Sequence, residues 1–174
     1  MHTNKRFTNS TVTKRVDKGS GHHRARRNPD EPMVCETCKA VYVDRRWISR
    51  SAISKITDTR KKWQPTGSTI CPACQQQREG VPGGFVYVEG AFLVSHPDDI
   101  ERLIANEAER AAADNPLSRV MKTERVDKDL LIVSTTNEHL AMRIGHALEK
   151  AFAGKVRYGF SHENKLVRVR WHRD

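Results

Sequence analysis

Cys35-Glu36-Thr37-Cys38 and Cys71-Pro72-Ala73-Cys74 together hold all four cysteines of a 174-residue chain. A two-residue spacer lets both sulfurs of a pair turn toward one point, and two such pairs complete a tetrahedral thiolate shell for Zn²⁺. Four thiolates leave no position open for water, so the spacing predicts one structural zinc bound by Cys35, Cys38, Cys71 and Cys74. Four negative charges against two positive make the site anionic, and Lys39 and Arg78, each just after a pair, are candidates to offset it. Two other readings compete. A pair of disulfides belongs to an exported protein, and residues 1–20 carry no apolar stretch of the kind a secretory signal needs. A thioredoxin-like redox motif explains one pair but not two. The expected setting is a reducing cytoplasm.

The composition sets further limits. Hydrophobic residues make up 37% and charged residues 30%, which suits a soluble chain with a modest core. No apolar run approaches the roughly 18 residues of a membrane span. The formal net charge is +10, and its placement says more than its size. Residues 1–62 contain 16 Lys and Arg against 6 Asp and Glu, and the remainder of the chain is balanced. A concentrated cationic field attracts polyanions, nucleic acid first among them; a solvated tail that aids solubility is the plainer reading.

Three segments follow from this. Residues 1–32 form a basic arm that includes Arg24, Arg26 and Arg27 and lacks the apolar surface to offset ordering entropy, so disorder in isolation is expected. Residues 33–80 form the zinc module, ribbon-like or treble-clef-like, with a short strand at Val41-Tyr42-Val43. Ile48, Ala52, Ile53 and Ile56 recur at roughly helical spacing, and a helical turn is expected at Gln75–Arg78. Its insert carries Arg45, Arg46, Arg50, Lys61, Lys62 and Trp63 as candidate RNA contacts, since rings stack on splayed bases while cations hold phosphates. Trp47 is expected to pack around the zinc core instead, and the same packing is an equal alternative for Trp63. Gly80-Val81-Pro82-Gly83-Gly84 marks the boundary.

Residues 81–174 read as an α+β domain: an antiparallel or mixed sheet with two helices. Phe85–Val94 suggests a hairpin around Glu89-Gly90. Ser95 with Asp98 resembles a capping box, opening a helix to about Ala113 whose stripe is Ile100, Leu103, Ile104, Ala108 and Ala111. Arg119–Arg125 and Leu130–Thr135 read as strands. Asn137 is a suitable N-cap for a helix with stripe Leu140, Ile144, Ala147, Leu148, Ala151 and Phe152, ended by Gly154. His139 and His146 share its face and read as surface residues.

The last two strands allow a register to be derived. Val156, Tyr158 and Phe160 alternate on one strand, and Val167, Val169 and Trp171 on the next. Matching these faces sets Phe160 opposite Val167 and Val156 opposite Trp171, with a short loop at His162–Lys165. Arg157 then lies directly opposite Arg170, beside Lys155 and Arg168. Like charges in that relation are destabilising, and an anion bound there would relieve them. The alternative is that the long arms splay into solvent or find an acid such as Glu124.

The cysteine pairs, the stretch Asp129-Leu130-Leu131-Ile132-Val133-Ser134-Thr135-Thr136-Asn137-Glu138-His139-Leu140-Ala141, and the later Lys155-Val156-Arg157-Tyr158 and Lys165-Leu166-Val167-Arg168-Val169-Arg170 resemble the N-terminal part of a known family. It is the family of large-ribosomal-subunit export adaptors of eukaryotes and their archaeal relatives, named for nonsense-mediated decay. The resemblance covers about half of the chain, with two cysteine pairs where the family has more. It implies contact with the large subunit or its RNA.

The expected function is therefore a zinc-stabilised RNA-binding protein of the cytoplasm that associates with the ribosome in maturation or in an idle, stressed state. Lys155, Arg157, Arg168 and Arg170 join the arm and the zinc module as RNA contacts. The alternatives are a protein-interaction adaptor and a DNA-binding regulator. No catalytic residues, small-molecule substrate or membrane partner are expected. The chain has no Gly-rich phosphate loop and no His-Glu-x-x-His, and His96 near Asp98 and Asp99, like Ser161-His162-Glu163, reads as a cap or a turn.

Overall fold

The structure, a computed structural model, describes residues 32–53, 65–161 and 166–174. The readings for Arg24, Arg26, Arg27, Ile56, Lys61, Lys62, Trp63 and the His162–Lys165 loop lie outside the described residues. The remainder is α+β, as the sequence predicts, and contains two sheets.

The first sheet contains β1 (Met33–Cys35), β2 (Val41–Val43), β3 (Arg46–Ile48) and β4 (Gly67–Thr69), in the order β3-β2-β1-β4. β1 runs antiparallel to β2 and parallel to β4. Asp44 and Arg45 join β2 to β3 with φ of 50° and 60°. A two-residue hairpin turn of this kind needs positive φ at both central positions to match strand twist. The helical spacing around Ala52 is realised, among the described residues, as a 3₁₀ turn at Arg50–Ala52 followed by a helical Ile53. Ile48 is instead buried at the end of β3. Helix α1 (Pro72–Glu79) follows β4 and ends at Gly80, whose φ of 66° is the left-handed conformation a helix C-terminus favours.

The second sheet is mixed and five-stranded. It contains β5 (Gly84–Glu89), β6 (Val120–Asp127), β7 (Leu130–Thr135), β8 (Lys155–Ser161) and β9 (Leu166–His172), in the order β6-β7-β5-β9-β8. Three helices complete the unit: α2 (Ala91–Ser95), α3 (Pro97–Asp114) and α4 (Glu138–Phe152). β5 is central, antiparallel to β7 and parallel to β9.

The Glu89-Gly90 hairpin does not form, and residues 91–95 are helical. Both flanks of β5 are already occupied by β7 and β9, so a returning strand has no edge to join. Gly90 takes φ 113°, and a Cβ there would fall 2.1 Å from the Arg173 carbonyl oxygen, so only glycine fits this exit. The apolar run is used for packing: Leu93 is fully buried, and the Phe92 ring lies 5.3 Å from that of Phe152. The capping box is also absent. His96 holds the N-cap position without a side-chain cap, while the Ser95 hydroxyl donates to carbonyls of the preceding turn. Pro97 does open α3, where its missing N–H costs nothing.

Elsewhere most of the derived pattern is realised, although Ala151 of the expected helix stripe and Phe160 of the expected strand face are exposed. Asn137 Oδ1 accepts from the Leu140 N–H at 2.9 Å and caps α4. Leu140, Ile144 and Leu148 of α4 join Val86, Val88, Leu131, Val133, Val167, Val169 and Trp171 in one buried cluster, with Ile100, Ile104 and Ala111 of α3. Helix α4 comes close to the sheet because Gly145 lacks a side chain: a Cβ there would meet Val169 Cγ1 at 2.5 Å. The β8–β9 register has Val156 opposite Trp171, Arg157 opposite Arg170 and Phe160 opposite Val167, as alternation requires.

Candidate functional site

The four cysteines are brought together by the end of β1, the turn after it and the start of α1. Cys35 closes β1, and Cys38 lies in the turn that follows. The Cys35 N–H donates to the Ala40 carbonyl at 2.7 Å and the Lys39 N–H to the Cys35 carbonyl at 3.0 Å, which folds the knuckle. Lys39 makes this turn with φ 61°. Cys71 is the N-cap of α1, and Cys74 lies within its first turn. The β4 carbonyl of Thr69 accepts from the Glu36 N–H at 3.0 Å, joining the two halves. A knuckle, a hairpin and a helix that supplies the second pair constitute the treble-clef arrangement.

The ligand sulfurs all lie within 4.8 Å of one another. Zn–S bonds of about 2.3 Å in a tetrahedron place sulfurs about 3.8 Å apart, and Cys38 Sγ stands 3.6 Å from Cys71 Sγ. None of the four is in a disulfide. The donor set and its spacing therefore fit a single structural Zn²⁺, with every position of the shell taken by protein.

Backbone N–H groups point at the sulfurs, with Cys71 N 3.3 Å from Cys35 Sγ and Cys74 N 3.4 Å from Cys71 Sγ. Burial opposes ionisation of Cys35, but the N–H groups of Cys38, Cys71 and Thr37 outweigh it and bring the thiol down to about 6. Burial, together with the neighbouring sulfur charges, pushes Cys71 and Cys74 up. A cation among the sulfurs favours the thiolate form of all four, the role a bound Zn²⁺ fills.

Sequence reasoning missed the protein's own counter-charge. Lys39 Nζ reaches the Glu36 carbonyl at 2.7 Å, and Arg78 is exposed on α1. The group that meets the sulfurs is Arg119, whose Nη1 lies 3.5 Å from Cys74 Sγ. Burial alone would lower its guanidinium, but the sulfurs of Cys38, Cys74 and Cys71 more than compensate and hold it above its ordinary value. Arg119 is itself held in place. Its Nε donates to the Pro116 carbonyl at 2.6 Å, and its backbone N–H to Thr136 Oγ1 at 2.9 Å. Leu117 packs on the cysteine cluster beside Trp47, as expected of Trp47. Gln76 Nε2 of α1 donates to the Thr136 carbonyl at 2.9 Å. The metal centre is thus fastened to the five-stranded sheet's domain at the strand ends of β6 and β7.

Groups just outside a metal shell typically contribute 10- to 100-fold in affinity. Replacing Arg119 with alanine is expected to weaken zinc binding by about tenfold, with a smaller loss for Arg119→Lys, which keeps charge but not the fork. Competition against a chromogenic chelator measures this directly.

The candidate RNA contacts fall into two groups. Arg45 and Arg46 are at the β2–β3 hairpin tip and Arg50 in the turn beyond, all exposed on the zinc module. Lys155, Arg157, Arg168 and Arg170 share the face of β8 and β9 that points away from the helices. With Glu89 and His172, three of them line a pocket of about 330 Å³. Arg170 Nη1 is 3.8 Å from Glu89 Oε1, while Arg157 stands directly across from it. The acid beside the pair is thus Glu89, not Glu124, which pairs with Lys122 at 2.8 Å. No helix among the described residues is long and apolar enough to cross a membrane. No family model, curated protein or solved structure matches this chain.

Proposed function

We propose that the protein binds RNA, that zinc holds its fold and does no chemistry, and that its target is the ribosome in the cytoplasm, through the large subunit or ribosomal RNA. The observation that carries this reading is the arrangement of β8 and β9. Four cations share one open sheet face, two of them in direct cross-strand opposition, with Glu89 as the acid among them. Such a pair is unfavourable alone and favourable once a phosphate lies between. The cation excess of residues 1–62 supports the same reading, since a polyanion can engage arm, zinc module and sheet at once. The protein would act in subunit maturation or on idle ribosomes.

Sedimentation of tagged protein in lysate tests the target. Co-migration with ribosomal subunits, weakened by salt and abolished by nuclease, is the expected outcome. Migration at the top of the gradient in every condition contradicts it and favours a protein-binding adaptor. On purified components, Arg157→Ala with Arg170→Ala is expected to weaken RNA binding about equally across sequences. It should also lower the magnitude of the slope of log Kobs against log[salt] by about 1 for each phosphate that is no longer neutralised.

A further inference from the structure

The face of the second sheet opposite the helices carries more than cations. Along the central strand β5, residues alternate between the core and this face: Val86 and Val88 are fully buried, while Phe85 and Tyr87 are half-buried on the other side. Among the described residues, neither ring belongs to a core cluster or packs against one. Their ring centroids are 6.2 Å apart. Pairing fixes what stands beside them. Phe85 has Ser134 of β7 on one side and Arg168 of β9 on the other; Tyr87 has Ile132 and Arg170. Beyond β9, Arg157 faces Arg170, and Lys155 faces His172. The Arg170 guanidinium lies over the Tyr87 ring, 5.0 Å from its centroid.

Two partly exposed rings on the face opposite the helices leave some apolar surface in water, which packing of the helix-covered core does not explain, because neither ring belongs to it. The charge on the face is also uneven. The β8–β9 side holds Lys155, Arg157, Arg168 and Arg170, while on β6 Lys122 is paired with Glu124 and Asp127 follows. A ligand that suits this layout presents flat apolar surfaces over β5 and negative charge over β8 and β9. An unpaired stretch of RNA does this: bases stack on aromatic rings and guanidinium planes while phosphates meet Lys and Arg. A duplex does not, because its bases are stacked on one another and its phosphates lie outward.

We infer that Phe85 and Tyr87 form a stacking platform for two unpaired bases of single-stranded RNA, with Arg168, Arg170, Arg157 and Lys155 tracking its phosphates. The inference rests on the RNA-binding reading and narrows it to unpaired RNA at one sheet face. Arg170 belongs to both parts, since its guanidinium rests over the Tyr87 ring, where a base can stack in turn, while its charge meets the backbone.

The test uses the full chain with zinc bound and two fluorescent probes, a single-stranded oligouridylate and an RNA duplex of equal length, at one salt concentration. Wild type is expected to bind the single strand more tightly than the duplex. Phe85→Leu with Tyr87→Leu removes the π faces but keeps apolar bulk, and should cost at least about tenfold for the single strand and leave the duplex unchanged. Tyr87→Phe keeps the ring and should bind as wild type. Zinc content and thermal melting verify that each variant is folded; should the double variant be destabilised, Tyr87→Leu alone should still cost several-fold on the single strand only. A folded double variant that binds the single strand as wild type does overturns the platform and leaves RNA binding standing. So does equal loss on both probes. Failure of wild type to bind either probe overturns RNA binding itself.

Discussion

Removing zinc is expected to unfold the four-stranded sheet while the helix-covered core persists. Each strand of that sheet has three residues, too short to hold together without support. Among the described residues, those buried beyond the cysteines are few: Ala40, Val41, Tyr42, Ile48 and Ala73. Structural zinc sites contribute about 10–16 kcal/mol in small metal-dependent domains, far more than such a set of side chains can supply. Trp47 packs on the cysteine cluster and its ring is 5.4 Å from Tyr42, so its surroundings should change when the metal leaves. A strong chelator, or Cys71→Ser, should shift the emission to the red and erase one thermal transition. Persistence of the zinc-module transition in metal-free protein would show that the thiolate shell is not what holds it.

The second large effect is expected at Trp171. It is fully buried, its Nε1 donates to the Ala153 carbonyl at 2.7 Å, and the Phe92 ring meets it edge-on at 6.0 Å. Trp171→Ala removes a large side chain and orphans that carbonyl, a loss of about 3–5 kcal/mol. Against a domain stability of about 5–15 kcal/mol, that leaves a marginal fold. Phe160 occupies the same face of β8 but is 58% exposed, and Phe160→Ala should change stability by about 0.5 kcal/mol or less. Urea unfolding of the two variants side by side measures the difference; similar losses would mean that burial does not set the cost at these positions.

What could be read from the chain beforehand follows from how locally each feature is determined. The metal ligands were legible because spacing alone aims paired sulfurs at one point. The β8–β9 register was legible because alternation with a period of two excludes every odd slip and the short loop selects among the even ones. The cap at Asn137 involves a contact three residues away. By contrast, Ala91–Ser95 is a short apolar run, and such runs serve equally as strand or buried helix. What decides it is that both edges of β5 are taken, one of them by β9, which begins more than seventy residues later. Arg119 is 45 residues from Cys74 and carries no local mark of its role; contacts with Thr136 and Pro116 hold it toward the sulfurs. The Phe85 and Tyr87 face was hidden for the same reason, since the cations beside it come from β9 through a parallel pairing that no short-range pattern encodes.

Whether this zinc-held scaffold binds RNA through its phosphates can be decided by the anisotropy of a labelled ribosomal RNA fragment. The fragment is titrated with purified, zinc-loaded protein over a range of salt concentrations. Saturable binding is expected at low salt, with a linear fall of log Kobs against log[salt] and a slope of several negative units. Absence of binding at low salt, or an affinity indifferent to salt, would rule out phosphate-driven RNA binding by this protein.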